Sequence, residues 1–368
     1  MTKEKKFKKR KLWQKIIICL LLIILIIVLG FSALIGYLTL TEFNPDKEVP
    51  LKLTGKSQTE AVYKSKELTA VSWNIGYGAL GSDADFFMDG GKSVDTADKA
   101  GVNKNLKGIS SELNSLNPDF ILLQEVDTDA KRSSYINEAS KLQSELLNQD
   151  YQSSFAENFK VKFIPYPIPP IGKVNAGIMT LSKSKISEAT RVQLPCPFKW
   201  PTRVANLKRC LSINRLPIEG SDKELVIVNL HLEAYDDGEG KKAQAEMLRK
   251  YLQAEADKGN YVIAGGDFNQ TFSGTDTSII KQFNGTWKPP VLDTDKFDKS
   301  WQFLMDTKTA SCRSLDKPLT SLNTNKFQFY IIDGFIVSSN IEVTSLETKQ
   351  MGFKNTDHNP VVLKFKLK

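Results

Sequence analysis

Histidine is nearly absent and cysteine is sparse: 368 residues contain two of the first and four of the second. No His or Cys pair has the spacing of a zinc site, which argues against zinc. Cys19 falls in an apolar run, while Cys196, Cys210 and Cys312 form an odd set that cannot all pair internally. A bridge between Cys196 and Cys210, closing a short loop, is the favoured pairing; three buried thiols are the alternative. No repeat period is present, so solenoids and propellers are set aside. A composition of 41% hydrophobic and 25% charged residues excludes disorder and collagen, and the length suffices for one large core or two modest ones.

The main body also lacks net charge. Residues 1 to 15 carry eight Lys or Arg against Glu4, which is +7 of the total +8 and leaves +1 for residues 16 to 368. The basic balance therefore belongs to the tail and is no evidence that the body binds nucleic acid.

Ile16 to Leu40 contains no charged residue in 25 positions, and a bilayer-crossing helix needs roughly 20. A cleaved signal peptide is the rival, but apolarity continues past Gly30 and no clean A-x-A site follows. The expected organisation is a basic cytoplasmic tail (1–15), a transmembrane helix (16–40), a polar juxtamembrane linker (41–67) and a domain from 68 to 368. The positive-inside bias puts the N-terminus in the cytoplasm and the domain outside the cell membrane. Fully extended, the linker reaches at most about 90 Å.

From Leu68 onward strands and helices alternate. Leu68–Trp73, Asp119–Val126, Ile178–Leu181, Leu211–Leu216, Leu225–Leu230, Tyr261–Ala264, Phe329–Val337 and Val361–Phe365 read as strands. Val102, Leu106, Ile109, Leu113 and Leu116 keep helical spacing up to Asn117-Pro118, Ile136 to Leu146 repeats that pattern, and a further helix runs from about Lys241 to Asp257. This is one α/β or α+β domain.

Polar residues gather where the strands end: Asn74, Gln124-Glu125, Asn229 with His231, Asp267 and Asn269, and Asp357-His358, while Asp333 lies inside FYIIDGFIV. Both histidines of the chain stand at such junctions. Oxygen donors without thiolates suit a hard cation, so Glu125, with Asp267 or Asp357 and the amides Asn74 and Asn269, are candidates to hold Mg²⁺ or Mn²⁺. Asp267 and Asn269, two apart in an extended segment, are expected on one side of it. GGKS at 90–93 fails as a phosphate loop because Phe86 stands where that motif has Gly. GSDADFFMDGG fails as an EF-hand because Val94 replaces its last Glu.

WNIGYG, LLQEVD, NAGIMTLSK, VNLHLEAY, GGDFN, IIDGFIVS and TDHNPV occur in an order similar to that of the endonuclease/exonuclease/phosphatase superfamily, over about residues 68 to 368. The resemblance implies a DNase I-like, four-layer α/β/β/α sandwich of the α+β class with its site at one end of the sheets. It implies that Glu125 binds metal with Asn74 beside it, and that Asp357 is a further metal or orienting ligand. It makes His358 the general base oriented by Asp333, His231 an assistant to the leaving group, and Asp267 and Asn269 the pair that places water and contacts phosphate.

Asn175 in NAGIMTLSK, Tyr166 in the proline-rich run 163–177 and Arg203 in PCPFKWPTRVANLKRC are candidate substrate contacts. The favoured function is a membrane-anchored, extracytoplasmic, Mg²⁺-dependent phosphoesterase acting on a phosphodiester or phosphomonoester, with a lipid headgroup slightly preferred as substrate. A tethered nuclease and a non-catalytic binding ectodomain are the alternatives, and no obligate protein partner is evident.

Overall fold

The computed structural model describes residues 11–146, 150–236, 238–320 and 324–368. Most of the basic tail, Lys3 to Arg10, lies outside the described residues. Helix α1 (Leu12–Leu40) contains the whole expected span, and its apolar side chains face away from the rest of the protein over most of its length.

Among the described residues, two seven-stranded sheets follow. Their strands, in chain order, are β1 (Glu48–Pro50), β2 (Leu53–Gly55), β3 (Leu68–Asn74), β4 (Phe120–Asp127), β5 (Gln152–Ile164), β6 (Gly172–Ser182) and β7 (Glu188–Gln193). Then come β8 (Cys210–Pro217), β9 (Glu224–His231), β10 (Tyr261–Asp267), β11 (Trp301–Leu304), β12 (Asp333–Ser338), β13 (Ile341–Thr348) and β14 (Val361–Leu367). One sheet runs β1-β7-β8-β9-β10-β12-β11 and the other β13-β14-β3-β4-β6-β5-β2.

Helices α2 (Lys99–Leu116) and α3 (Glu138–Glu145) cover the outer face of the second sheet, and α4 (Glu239–Asp257) covers the first. Asp98 caps α2 by accepting from Gly101 N, and Asn117 ends it in the left-handed region ahead of Pro118. Strand β4 opens with an unbroken apolar run, Phe120–Leu123, because both of its faces are covered there. Phe120 and Leu122 point into the inter-sheet core, while Ile121 and Leu123 meet α2.

Three expectations change. The polar segment 41–67 is no free stalk: Glu48–Pro50 pairs with β7, Leu53–Gly55 pairs with β5, and Val62 is buried. Its strands are three residues long and sit at sheet edges, so no periodicity marks them. The run Phe329–Val337 breaks at Ile331-Ile332, so Asp333 opens β12 rather than lying mid-strand. Cys196 and Cys210 are free, the first exposed and the second buried, so the favoured disulfide is absent.

Candidate active site

Strand register does most of the assembly. Strand β10 lies parallel to β9 with Asp267 opposite His231, and antiparallel to β12 with Asp267 opposite Asp333. Three chemically active side chains therefore stand in a row across adjacent strands. In the other sheet Asn74 lies opposite Gln124 at the ends of parallel β3 and β4. Two-residue alternation turns these side chains to the inner faces of the two sheets, in line with Leu122, Ile227, Ile263 and Phe335, and strand direction puts them at one end of the sandwich.

Glu125 owes its position to a break in the ladder. The β4–β6 register shifts between Leu123 and Val126, and Glu125 adopts φ +55° there. A non-glycine residue in the left-handed region costs free energy that an ordinary strand would not tolerate. The bulge turns a carboxylate out of the sheet, leaving it a quarter exposed, while Asp267 and Asp333 are buried.

Asn74 joins the carboxylates. Its Nδ2 donates to Glu125 Oε1 at 3.2 Å and to Asp267 Oδ2 at 3.1 Å, while its Oδ1 accepts from Gly76 N at 3.0 Å. The amide thus links an acid of one sheet to an acid of the other. Gly76 is required beside it: at φ +52°, a Cβ would sit 2.9 Å from Asp357 Oδ1.

His358 Nδ1 lies 2.8 Å from Asp333 Oδ2, and His358 Nε2 faces Asp267 Oδ2 at 3.8 Å. Trp73 Nε1 donates to the His358 carbonyl at 2.9 Å, so the first motif along the chain fixes the last. His231 Nε2 is 3.4 Å from Asp267 Oδ2 and 4.0 Å from Glu125 Oε1, and its buried Nδ1 has no partner among the described residues. Asp267 Oδ2 is therefore the point on which both imidazoles and the Asn74 amide converge.

Burial pushes the His358 imidazole down, but the Asp333 carboxylate outweighs it and holds the group well above its ordinary value. His231 is driven well below its ordinary value by burial, then by Arg209 and by His358. Asp267 is pushed up to about 7 by burial and the neighbouring Asp333. Asp357 is raised by burial, against the pull of His358. Asp89, in the loop before α2, is open to solvent yet ringed by protein; it rises to about 7 through desolvation, then through Asp357 and Glu125.

Asn269 departs from the extended geometry expected of it. It takes φ +50°, and its backbone N donates to Asp267 Oδ1 at 2.8 Å in an Asx turn. Its Nδ2 donates to the Leu232 carbonyl at 3.0 Å, tying the end of β10 to the end of β9. Asn175 sits on β6 near the Glu125 bulge, with a buried Oδ1 that finds no donor among the described residues. Tyr166 stands exposed at the β5–β6 hairpin tip, its ring edge-on to Phe87 with centroids 6.3 Å apart. Arg203 is removed from the cluster and pairs with Glu42 at 3.4 Å, beside the end of α1.

Several contributors carry no sequence signal. Ser311 Oγ accepts from Ile332 N and Asp333 N and fixes the start of β12. Cys312 forms a bridge pair with His358, and burial pushes its thiol up to about 12. Both lie in a stretch with neither period nor motif. Buried Arg209 faces Glu233 at 3.7 Å behind His231, and two of its N–H groups have no acceptor among the described residues.

Two sheets packed face to face, helices outside and polar strand ends gathered at one end, define the DNase I-like α/β sandwich. The chain belongs to the endonuclease/exonuclease/phosphatase family, whose model matches residues 71–315. It is accordingly a metal-dependent hydrolase acting on phosphate ester bonds. No match was found among curated protein sequences.

Solved structures agree in fold. An endonuclease/exonuclease/phosphatase from Beutenbergia cavernae aligns at a TM-score of 0.56 and 16% identity, over 82% of this chain and 72% of that one. A Bacteroides vulgatus endonuclease/exonuclease/phosphatase gives 0.52 and 14%, over 82% and 100%. The human nocturnin catalytic domain gives 0.50 and 18%, over 86% and 98%.

Proposed function

We propose that the chain is a membrane-anchored, extracytoplasmic phosphoesterase that cleaves a phosphodiester or phosphomonoester with Mg²⁺ or Mn²⁺ bound. The observation that carries this reading is the convergence of His358, His231 and Asn74 on Asp267 Oδ2, with Asp333 behind His358. Five side chains from far-apart segments would not be brought together so closely, and largely buried, for stability alone.

The donor set fits a hard divalent ion. Glu125 and Asp357 offer carboxylate oxygens, with Asn74 holding Glu125 in place. Beside Asp357 and His358, burial favours the neutral thiol at Cys312, which leaves carboxylates as the charged donors. Bound there, the ion would offset charge on the phosphate oxygens.

The protein's own groups handle the protons. With Asp333 at its Nδ1, His358 is held as an imidazolium whose Nε2–H faces the reaction centre. It donates to a phosphate oxygen or to the leaving oxygen. Asp267 takes a proton from the attacking water, whose oxygen bonds to phosphorus as the leaving oxygen departs. This division moves the base from His358, where family resemblance puts it, to Asp267. Neutral His231 adds an N–H without adding charge.

Anchoring rests on α1, which is long and apolar enough to span a bilayer. Leu34 and Leu38 pack against Val161 and Val204, so removing the helix as a leader would uncover apolar surface on the domain.

The test is turnover by the full chain in detergent, with Mg²⁺ or with EDTA, on bis(p-nitrophenyl) phosphate, p-nitrophenyl phosphate, plasmid DNA, RNA and phospholipid. EDTA-sensitive cleavage that disappears in Asp267→Ala and His358→Ala is expected. Near-normal turnover in either variant refutes the assigned roles, and plasmid nicking moves the substrate to nucleic acid.

A further inference from the structure

We infer that the β5–β6 hairpin tip and the segment from Pro197 to Ala205 form a bilayer-docking face that holds the site-bearing end of the sandwich against the membrane spanned by α1. This rests on the anchored phosphoesterase reading and adds an orientation and a substrate source to it.

The depth of α1 sets the geometry. A hydrocarbon layer of about 30 Å takes up about 20 helical residues, so a span entered at Ile16 leaves it near Ile35. Leu34 and Leu38 are the residues that pack on Val161, Phe159, Ile164 and Val204. The domain therefore touches its anchor where hydrocarbon gives way to headgroups. Just beyond, Trp200 Nε1 donates to Thr39 Oγ1 at 3.1 Å, and Glu42 pairs with buried Lys208 at 2.8 Å. Those contacts, with β1 and β2 folded into the sheets, leave no slack for the domain to swing away.

Around this junction large apolar side chains face outward. Ile168 is 94% exposed, Tyr166 72%, Trp200 58% and Phe163 39%. Lys162 and Lys199 stand exposed beside them. Exposed aliphatic and aromatic groups flanked by lysines are unfavourable in water and favoured in the interfacial layer of a bilayer. Proline at 165, 167, 169 and 170 stiffens the tip that presents them.

Topology brings the site to the same end. Strand β6 runs antiparallel to β4, so the hairpin projects beyond the end of β4 that carries Glu125. Six residues from Gly177, opposite Val126, to Ile171 measure about 20 Å. Tyr166 meets Phe87 edge-on, with ring centroids 6.3 Å apart, in the loop between β3 and α2. The site-bearing end of the sandwich thereby faces the leaflet whose lipids carry the phosphate ester.

The test uses the full chain carrying Cys19→Ser and Cys196→Ser, in vesicles of phosphatidylcholine and phosphatidylglycerol. A fluorophore is placed at Ile168→Cys, at Leu29→Cys within α1, or at Asp222→Cys in the turn at the opposite end of β9. Shallow spin-labelled lipid is expected to remove most emission at position 168, and deeply labelled lipid most emission at position 29, with position 222 unaffected by either. Quenching at position 29 without quenching at 168 overturns docking and leaves the anchor standing; quenching at neither overturns both.

A second arm compares headgroup release from those vesicles with bis(p-nitrophenyl) phosphate hydrolysis. Ile168→Asp with Trp200→Ser is expected to slow the first about tenfold and leave the second unchanged. Equal vesicle rates overturn the docking role. A wild-type chain that cleaves only the soluble ester overturns the lipid assignment while the hydrolase reading stands; one that cleaves neither overturns both.

Discussion

Gln124 Nε2 donates to Asn229 Oδ1 at 2.8 Å across the gap between the two sheets. Asn229 in turn donates to the carbonyls of Leu123 at 3.1 Å and Met179 at 2.9 Å. Both residues are fully buried directly beneath the site, one position before Glu125 and two before His231. This polar tie sets the two sheets, and so the two halves of the site, at a fixed offset.

Asn229→Leu removes three buried hydrogen bonds: the acceptor for Gln124 Nε2, which keeps the Leu122 carbonyl at 3.0 Å and Ser72 Oγ at 3.4 Å, and the donor to the Leu123 and Met179 carbonyls. Each buried hydrogen bond contributes about 0.5–1.5 kcal/mol net, so destabilisation of roughly 3 kcal/mol is expected. Denaturant unfolding should show it as a lower midpoint, accompanied by reduced turnover as Glu125 and His231 lose their alignment. An unchanged midpoint would mean that the tie carries no weight.

Asp333→Asn keeps the shape of the side chain but removes the charge that stabilises the His358 imidazolium. Turnover is expected to fall roughly 10²–10⁴-fold while the melting temperature changes little. The NMR titration of His358 should move to lower pH in the variant, a shift that a purely structural contact would not produce.

Glu125→Gln should weaken Mg²⁺ binding, read by calorimetry and by loss of the Mg²⁺-dependent rise in melting temperature. Chelation of the wild type is expected to lower its melting temperature and abolish turnover, both restored by Mg²⁺. Identical Mg²⁺ titrations of the two chains would remove Glu125 from the ion.

Glu255, at the end of α4, gives a clean pH dependence far from the ion. Burial opposes its ionisation, but hydrogen bonds from Arg215, Lys258 and Asn260 prevail and lower it to about 2. A depressed carboxyl contributes stability that is complete above the unfolded value of about 4.3 and disappears as pH falls through the folded value. Glu255→Gln should therefore be less stable than wild type at neutral pH, with the gap closing between about pH 4.3 and pH 2 in thermal melts.

Free, buried thiols at Cys210 and Cys312 should resist maleimide until the chain unfolds, while exposed Cys196 reacts in the folded state. Mass spectrometry of the folded protein under oxidising conditions settles this, and a Cys196–Cys210 bridge would contradict the structure.

By itself, the sequence determined which residues have chemical capacity and which elements carry them. Strand segments with both faces covered, such as Phe120–Leu123, are continuous apolar runs, and helices with one buried stripe repeat every three or four residues, so α2 and α4 were legible within a few positions. Asn74, His231 and Asp267 were visible because a polar side chain at the end of a buried strand has no packing reason to be there.

What only the tertiary structure decided depends on partners far along the chain. The Glu125 bulge, the Asx turn that sends Asn269 to Leu232, the Ser311 clamp on Asp333 and the Trp73 bond to the His358 carbonyl each join segments that no local pattern links. The same holds for β1 and β2: three-residue edge strands bury too little to leave a hydrophobic period, so a segment that reads as a loose tether is folded into the sheets. Local periodicity reports what a residue buries, whereas the site arises from strand order and register, which are properties of the whole chain.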